Sequence, residues 1–247
     1  MSAKNICATG TCLTRRTLLG SALGVSVAAV FGGVALAEAA GSVAFTKEQR
    51  DQLTPDQVLS MLRSGNERFR TGKMHPHNYL AQKQQTAGGQ FPAAAILSCI
   101  DSRAPAEILL DTRIGDTFNA RIAGNVADDD VLGSLEFACA AAGAKLVLVM
   151  GHTACGAVKG AIDGVELGHL TGLLQKIKPA VTATVYSGDR SSKDAEFVDA
   201  VAQTHVKQTV EALTRQSSIL AKLVSDQKIR VVGSMYHLKG GRVEFFA

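Results

Sequence analysis

The chain has 247 residues, 46% of them hydrophobic and 19% charged, with a net charge of +4. That composition excludes a disordered tail protein, and 24 Gly and 5 Pro without a period exclude collagen-like or low-complexity repeats. Without Lys4, Arg15, Arg16 and Glu38 the net charge falls to +2, which gives no electrostatic reason to expect nucleic acid. Five Cys are too few for a disulfide scaffold, and the length suffices for a large unstapled core.

Thr14-Arg15-Arg16-Thr17-Leu18-Leu19 opens an apolar run that continues to Leu36. A basic start, an apolar middle and small-residue exits at Ala35-Leu36-Ala37 and Ala37-Glu38-Ala39 predict a signal peptide over 1–39. The paired arginines resemble a twin-arginine signal, which predicts a periplasmic or otherwise exported protein. An uncleaved anchor is the competing reading, since residues 18–36 are long enough to span a bilayer. Cys7 and Cys12 would leave with the signal. No later run is apolar enough to span. The mature body, 40–247, is therefore expected as one soluble domain without a stable membrane partner.

Thr54-Pro55-Asp56-Gln57 reads as a helix start, with a capping box and Pro at the first helical position. The helix should run to about residue 71, as part of an N-terminal helical arm. His75-Pro76-His77 reads as solvated loop, and Ala87-Gly88-Gly89-Gln90 as a further break. Four short apolar segments follow, at 93–100, 117–122, 145–150 and 229–235. Three are nearly continuous in apolar residues, as strands covered on both faces are. Helical patterns fill 129–143, 170–186 and 194–228, the last broken near Ser217-Ser218. Asp128-Asp129-Asp130 suits a helix start, where carboxylates meet free N–H groups. Cys139 reads as a core residue, His205 as a surface or packing residue, and His169 and His237 have no partner pattern. The alternation predicts an α/β fold, a mainly parallel central sheet flanked by helices, with residues 242–246 as a C-terminal edge strand.

Chemistry gathers after two of these strands. Cys99 closes the first, in Cys99-Ile100-Asp101-Ser102-Arg103; His152 and Cys155 follow the third, in Gly151-His152-Thr153-Ala154-Cys155-Gly156. Open α/β sheets form their sites outside the carboxyl ends of strands, which puts both segments on one rim. Two thiolates and an imidazole suit Zn²⁺, and three protein ligands leave a position for water or substrate. Asp101, two residues after Cys99, faces the same side. It either takes the fourth position itself or is held off by the planar fork of Arg103. Other readings stay open here: buried core cysteines, a Cys nucleophile with a His base, a disulfide, or a closed structural zinc site. Phosphate-cradling glycine motifs are missing from the sequence.

With both motifs in hand, the chain resembles the β-class carbonic anhydrases from about Leu59 to its C-terminus. Asn66-Glu67-Arg68-Phe69, Ala123-Gly124-Asn125 and residues 129–136 support the likeness. The resemblance implies one Zn²⁺ per chain on Cys99, His152 and Cys155. Asp101 and Arg103 become the dyad that gates the fourth position, with Asp101 itself a ligand in a closed form. The implied reaction is reversible hydration of CO₂ to bicarbonate and a proton by zinc-bound hydroxide. Gln90, Phe118 and Ala123 match substrate-pocket positions, and a homodimer or tetramer of dimers is implied. Hydrolysis of CS₂ or COS on the same site, or a non-catalytic zinc protein of this fold, are the alternatives. The chain departs from many members at Ile122, Ala123 and Phe137, and it has no Trp for the second bicarbonate site that some members carry.

Overall fold

The computed structural model describes residues 44–246. The signal reading over 1–39, with Cys7 and Cys12, lies outside the described residues. Among the described residues, no helix is long and apolar enough to cross a membrane.

Five strands form one sheet: β1 (Ala94–Ser98), β2 (Thr117–Arg121), β3 (Leu146–His152), β4 (Arg230–Tyr236) and β5 (Val243–Phe245). Their order is β2-β1-β3-β4-β5. All pairings are parallel except that of β5, which runs antiparallel to β4 at the edge. Every residue of β1 and β3 is buried. That explains their unbroken apolar runs, because parallel strands in the middle of a sheet are covered on both faces. β2 is an edge strand, alternates Thr117, Asn119 and Arg121 with apolar residues, and is only half-buried.

The period-two geometry of a strand sorts its side chains to opposite faces. Ala95, Leu97, Val147 and Val149 join one cluster, with Phe197, Val201, Val206 and Leu213. These last four sit on α9 (Ala195–Gln216). Ile96, Leu146, Leu148 and Val232 join the other, with Val58, Leu59 and Leu62 of α2 (Pro55–Thr71). Each large aliphatic buried this way is worth about 1.5–3 kcal/mol, so the two clusters drive the layering. At Gly151, α9 comes so near β3 that an added Cβ would lie 2.6 Å from Val206 Cγ2.

The N-terminal arm consists of α1 (Lys47–Gln52), α2 and α3 (Tyr79–Thr86). The capping box at Thr54 and Gln57 is present, with Pro55 in the first turn. The Asp128 side chain caps α5 (Asp129–Glu136), as read from sequence. The predicted helix over 129–143 is less uniform: its last turn, Phe137–Ala141, is a π-helix.

The short helices α4 (Ala106–Leu109) and α6 (Gly156–Asp163), along with α1 and α3, were not foreseen. The predicted helix over 170–186 is two, α7 (Gly168–Gln175) and α8 (Lys178–Ala183). Pro179 sits in the first turn of α8, where its missing N–H costs nothing. Ser217 breaks the third pattern and caps α10 (Ser218–Ser225).

Cys139 is buried, as expected of a core residue, and of the two readings of His205, surface or packing, its burial selects packing. His77 corrects the reading of 75–77 as solvated loop. Its ring nitrogen Nε2 lies 2.8 Å from Asp111 Oδ1, while Asp111 Oδ2 accepts from Arg68 Nε at 2.5 Å and His75 N at 3.2 Å. A buried carboxylate needs such partners, and this one recruits the loop to tie α2 to the chain after α4.

Candidate metal centre

Parallel pairing sets Ser98 of β1 level with Met150 of β3, and β3 continues two residues to His152. Cys99 therefore leaves the sheet on the same rim as His152. Cys155 follows one short turn later, at the start of α6. The ligand atoms of Cys99, His152 and Cys155 all lie within 4.8 Å of one another, and all three residues are buried. Cys99, Cys139 and Cys155 are free thiols, so the disulfide reading does not hold for them.

The donors fit a borderline-soft ion. His152 Nδ1 bonds its own loop at Thr153 O, 2.9 Å away, which turns Nε2 inward. That Nε2 is buried and, among the described residues, has no hydrogen-bond partner. A buried nitrogen without a partner beside two thiols is a donor set that fits a metal. Cys155 donates to Cys99, which draws the Cys99 thiol well below its ordinary value and pushes Cys155 up. The two sulfurs thus share a proton that a cation readily displaces. Burial works against a charged His152, but the negative character of Cys99 and Asp101 and the Thr153 carbonyl together outweigh it and raise the imidazole.

Asp101 is gripped by Arg103. Its Oδ1 accepts from Arg103 N at 2.9 Å and Nε at 3.0 Å, and its Oδ2 from Nη2 at 2.7 Å. These bonds hold its carboxyl well below the usual carboxylate range. The same Oδ2 stands 3.7 Å from His152 Nε2, so the dyad faces the cluster.

Two supporting residues escaped sequence reasoning as supports. Arg121 donates through Nε to Cys99 O at 3.0 Å and through Nη2 to Asp101 O at 2.6 Å, stapling the first motif to β2. Asp199 Oδ1 accepts from Ala154 N at 2.8 Å, inside the second motif. Gly124 N also donates to Cys99 Sγ at 3.3 Å. Gly124 has φ +67, and a Cβ there would lie 2.6 Å from Ile177 Cδ1, so only glycine serves.

The remaining sequence candidates scatter. Ala123 is half-buried and directly precedes Gly124. Phe118 is half-buried on β2, its ring edge-on to Phe137 at 6.0 Å. The two phenylalanines line a cleft of about 500 Å³ with Asn119 and Gly133. Gln90 is exposed between α3 and β1, and nothing among the described residues hydrogen-bonds its side chain.

A centre of two cysteines and one histidine on the rim of a mostly parallel sheet defines a class that comparison then narrows. The carbonic anhydrase family profile matches residues 94–243. Carbonic anhydrase 2 of Mycobacterium tuberculosis is 38% identical over 190 residues, covering 76% of this chain and 91% of that protein. The β-carbonic anhydrase CafA of Aspergillus fumigatus superposes with a TM-score of 0.60 at 30% identity, over 66% of this chain and 79% of that one. One of two tetrameric β-carbonic anhydrases from Sordaria macrospora gives 0.58 at 26%, over 65% and 83%. The chain belongs to the carbonic anhydrase family, in its β class.

Proposed function

We propose that this enzyme hydrates CO₂ reversibly with one Zn²⁺ held by Cys99, His152 and Cys155, and with Asp101 and Arg103 governing the fourth position. The observation that carries this reading is the buried set of three donor atoms within 4.8 Å, its inward His152 Nε2 unpartnered. Zinc held there would lower the pKa of a water towards about 7 and so supply a nucleophile at neutral pH.

The chain's own residues do the rest. The two sulfurs and Nε2 would hold the ion. Arg103 keeps the Asp101 carboxylate ionised and turned aside, which leaves the fourth position open and an acceptor beside it. Buried surroundings keep bulk water out, and an uncharged substrate needs few polar guides. Ala123 and Phe118 are proposed as apolar pocket walls, and Gln90 as a polar guide brought in by loop movement or by assembly. The exposed edge β2, with Phe118 and Phe137 beside it, is proposed as the seat of a second copy. The tetrameric relatives from Sordaria macrospora support that assembly. The arginine pair at 15–16 supports export through the twin-arginine route.

The deciding experiment is stopped-flow CO₂ hydration on purified protein of measured zinc content, from acid to alkaline pH. Activity proportional to zinc is expected. Full zinc without CO₂ turnover at any pH would overturn the reading, and CS₂ and COS would be the next substrates to try.

A further inference from the structure

We infer that Asp199 is a positioning residue for the metal: its carboxylate fixes the turn between His152 and Cys155 and so sets the spacing of those two ligands. This rests on the zinc reading above.

Between the two ligands the chain must reverse within two residues. Thr153 is held by strand β4 and the chain after it. Its N–H donates to Tyr236 O at 3.0 Å, and its Oγ1 accepts from Leu238 N at 3.0 Å. Ala154 carries the reversal, with φ +54, in the left-handed region that L side chains rarely adopt. Such a conformation persists only where its surroundings impose it. The Ala154 N–H donates to Asp199 Oδ1 at 2.8 Å, a charge-assisted bond from a residue remote in sequence.

The base of that carboxylate is firm. Asp199 sits on α9 beside Phe197, Val198, Val201 and Ala202, all of them buried. Gly151 lets α9 close on β3 immediately before the ligand loop. The helix therefore acts as a fixed post, and one oxygen on it dictates where Ala154 stands. A cavity of about 170 Å³, lined by Thr153, Asp199, Gln203 and His237 among others, adjoins the post. Water from it can take over the Ala154 N–H in a variant, which satisfies the group without fixing its direction. Loss of the carboxylate should thus loosen the ligand pair rather than unfold the domain.

Outer supports of metal ligands commonly carry about 10- to 100-fold in metal affinity. The test compares Asp199→Ala, Asp199→Asn, Ala154→Gly and the double variant Ala154→Gly with Asp199→Ala. The readouts are zinc release to a chelator and the absorption bands of the Co²⁺-substituted protein, with thermal melting alongside.

Asp199→Ala should release zinc about 10- to 100-fold faster and shift the cobalt bands, whereas Asp199→Asn, which keeps the acceptor oxygen, should stay near wild type. Glycine adopts the left-handed turn freely, so Ala154→Gly should recover much of the Asp199→Ala loss. Wild-type release and an unchanged cobalt spectrum in Asp199→Ala would overturn the inference. So would an Ala154→Gly background that recovers nothing, and that comparison still decides the matter should Asp199→Ala alone fold poorly. A wild-type protein that takes up no stoichiometric zinc would instead sink the zinc reading on which this stands.

Discussion

The two motifs that meet at the cluster are held in opposite ways. The segment 152–155 is anchored from inside. His152 and Cys155 are almost wholly buried, Thr153 is bonded on both its polar sides, and Ala154 is pinned from α9. The segment 99–103 buries Cys99 but turns outward at once: Ile100 is exposed, and the Arg103 side chain is 57% exposed. One motif is built to keep two ligands at a set distance. The other presents one ligand and then a carboxylate held by an exposed arginine, a hold that can be undone without disturbing the core. Under the proposed function, the difference would separate holding the ion from controlling its open position.

The strongest way to break the contrast is at the buried motif. Cys155→Ser replaces a soft thiolate with a hard hydroxyl. Zinc content by elemental analysis should collapse and hydration fall beyond about 100-fold, the upper range for losing a mere outer support. At the exposed motif the outcome should differ in kind. Arg103→Ala should keep zinc, free Asp101 to occupy the fourth position, and cut turnover near neutral pH by about tenfold or more. Zinc analysis and stopped-flow assays on one preparation separate the two behaviours, and a zinc-free Arg103→Ala protein would erase the distinction drawn here.

The edge strand offers a milder test. Phe137→Asp places a charge on the exposed aromatic surface beside β2. Sedimentation velocity should then show a smaller species than wild type, because an apolar contact of this size is worth about 1.5–3 kcal/mol.

The smallest effect concerns acid. Burial pushes His205 on α9 down from 6.5 to about 4. Above pH 6.5 both folded and unfolded forms are neutral there, and nothing is lost. As pH falls from 6.5 towards 4, only the unfolded form takes the proton, so stability drops, by about 2 kcal/mol at pH 4.5. Urea unfolding at pH 7 and pH 4.5 should show a smaller loss in His205→Gln than in wild type. Equal losses would remove His205 from the account.

Much of this was readable in the chain. β1 and β3 announce themselves as unbroken apolar runs because both their faces are covered. The spacing C-x-D-x-R after one strand and H-x-x-C after another places a metal site once strand ends are known to form the rim. The division of 170–186 into two helices also had a signal, since Pro179 marks a helix start rather than an interior. What could not be read were contacts between remote positions. Arg121 with Cys99 and Asp101, Asp199 with Ala154, and His77 with Asp111 are made across the fold, and no local pattern records them. Gln90, read by resemblance alone, lies exposed, with no side-chain hydrogen bond among the described residues, and no local pattern could have told its placement.

The register of β1 against β3 has a consequence for assembly. Before those strands pair, the chain carries only a two-donor fragment at 152–155, with Cys99 far upstream in sequence. Each side chain on a strand points opposite to its neighbour, so a pairing slipped by one residue would turn the strand's faces and misplace Cys99. A tight hold on an ion would therefore begin only once the correct alignment exists, and from that moment it would oppose any return to the slipped one. Were the proposed zinc taken up here, its binding would in this sense be a proofreading step, one that favours the single alignment able to complete the ligand set.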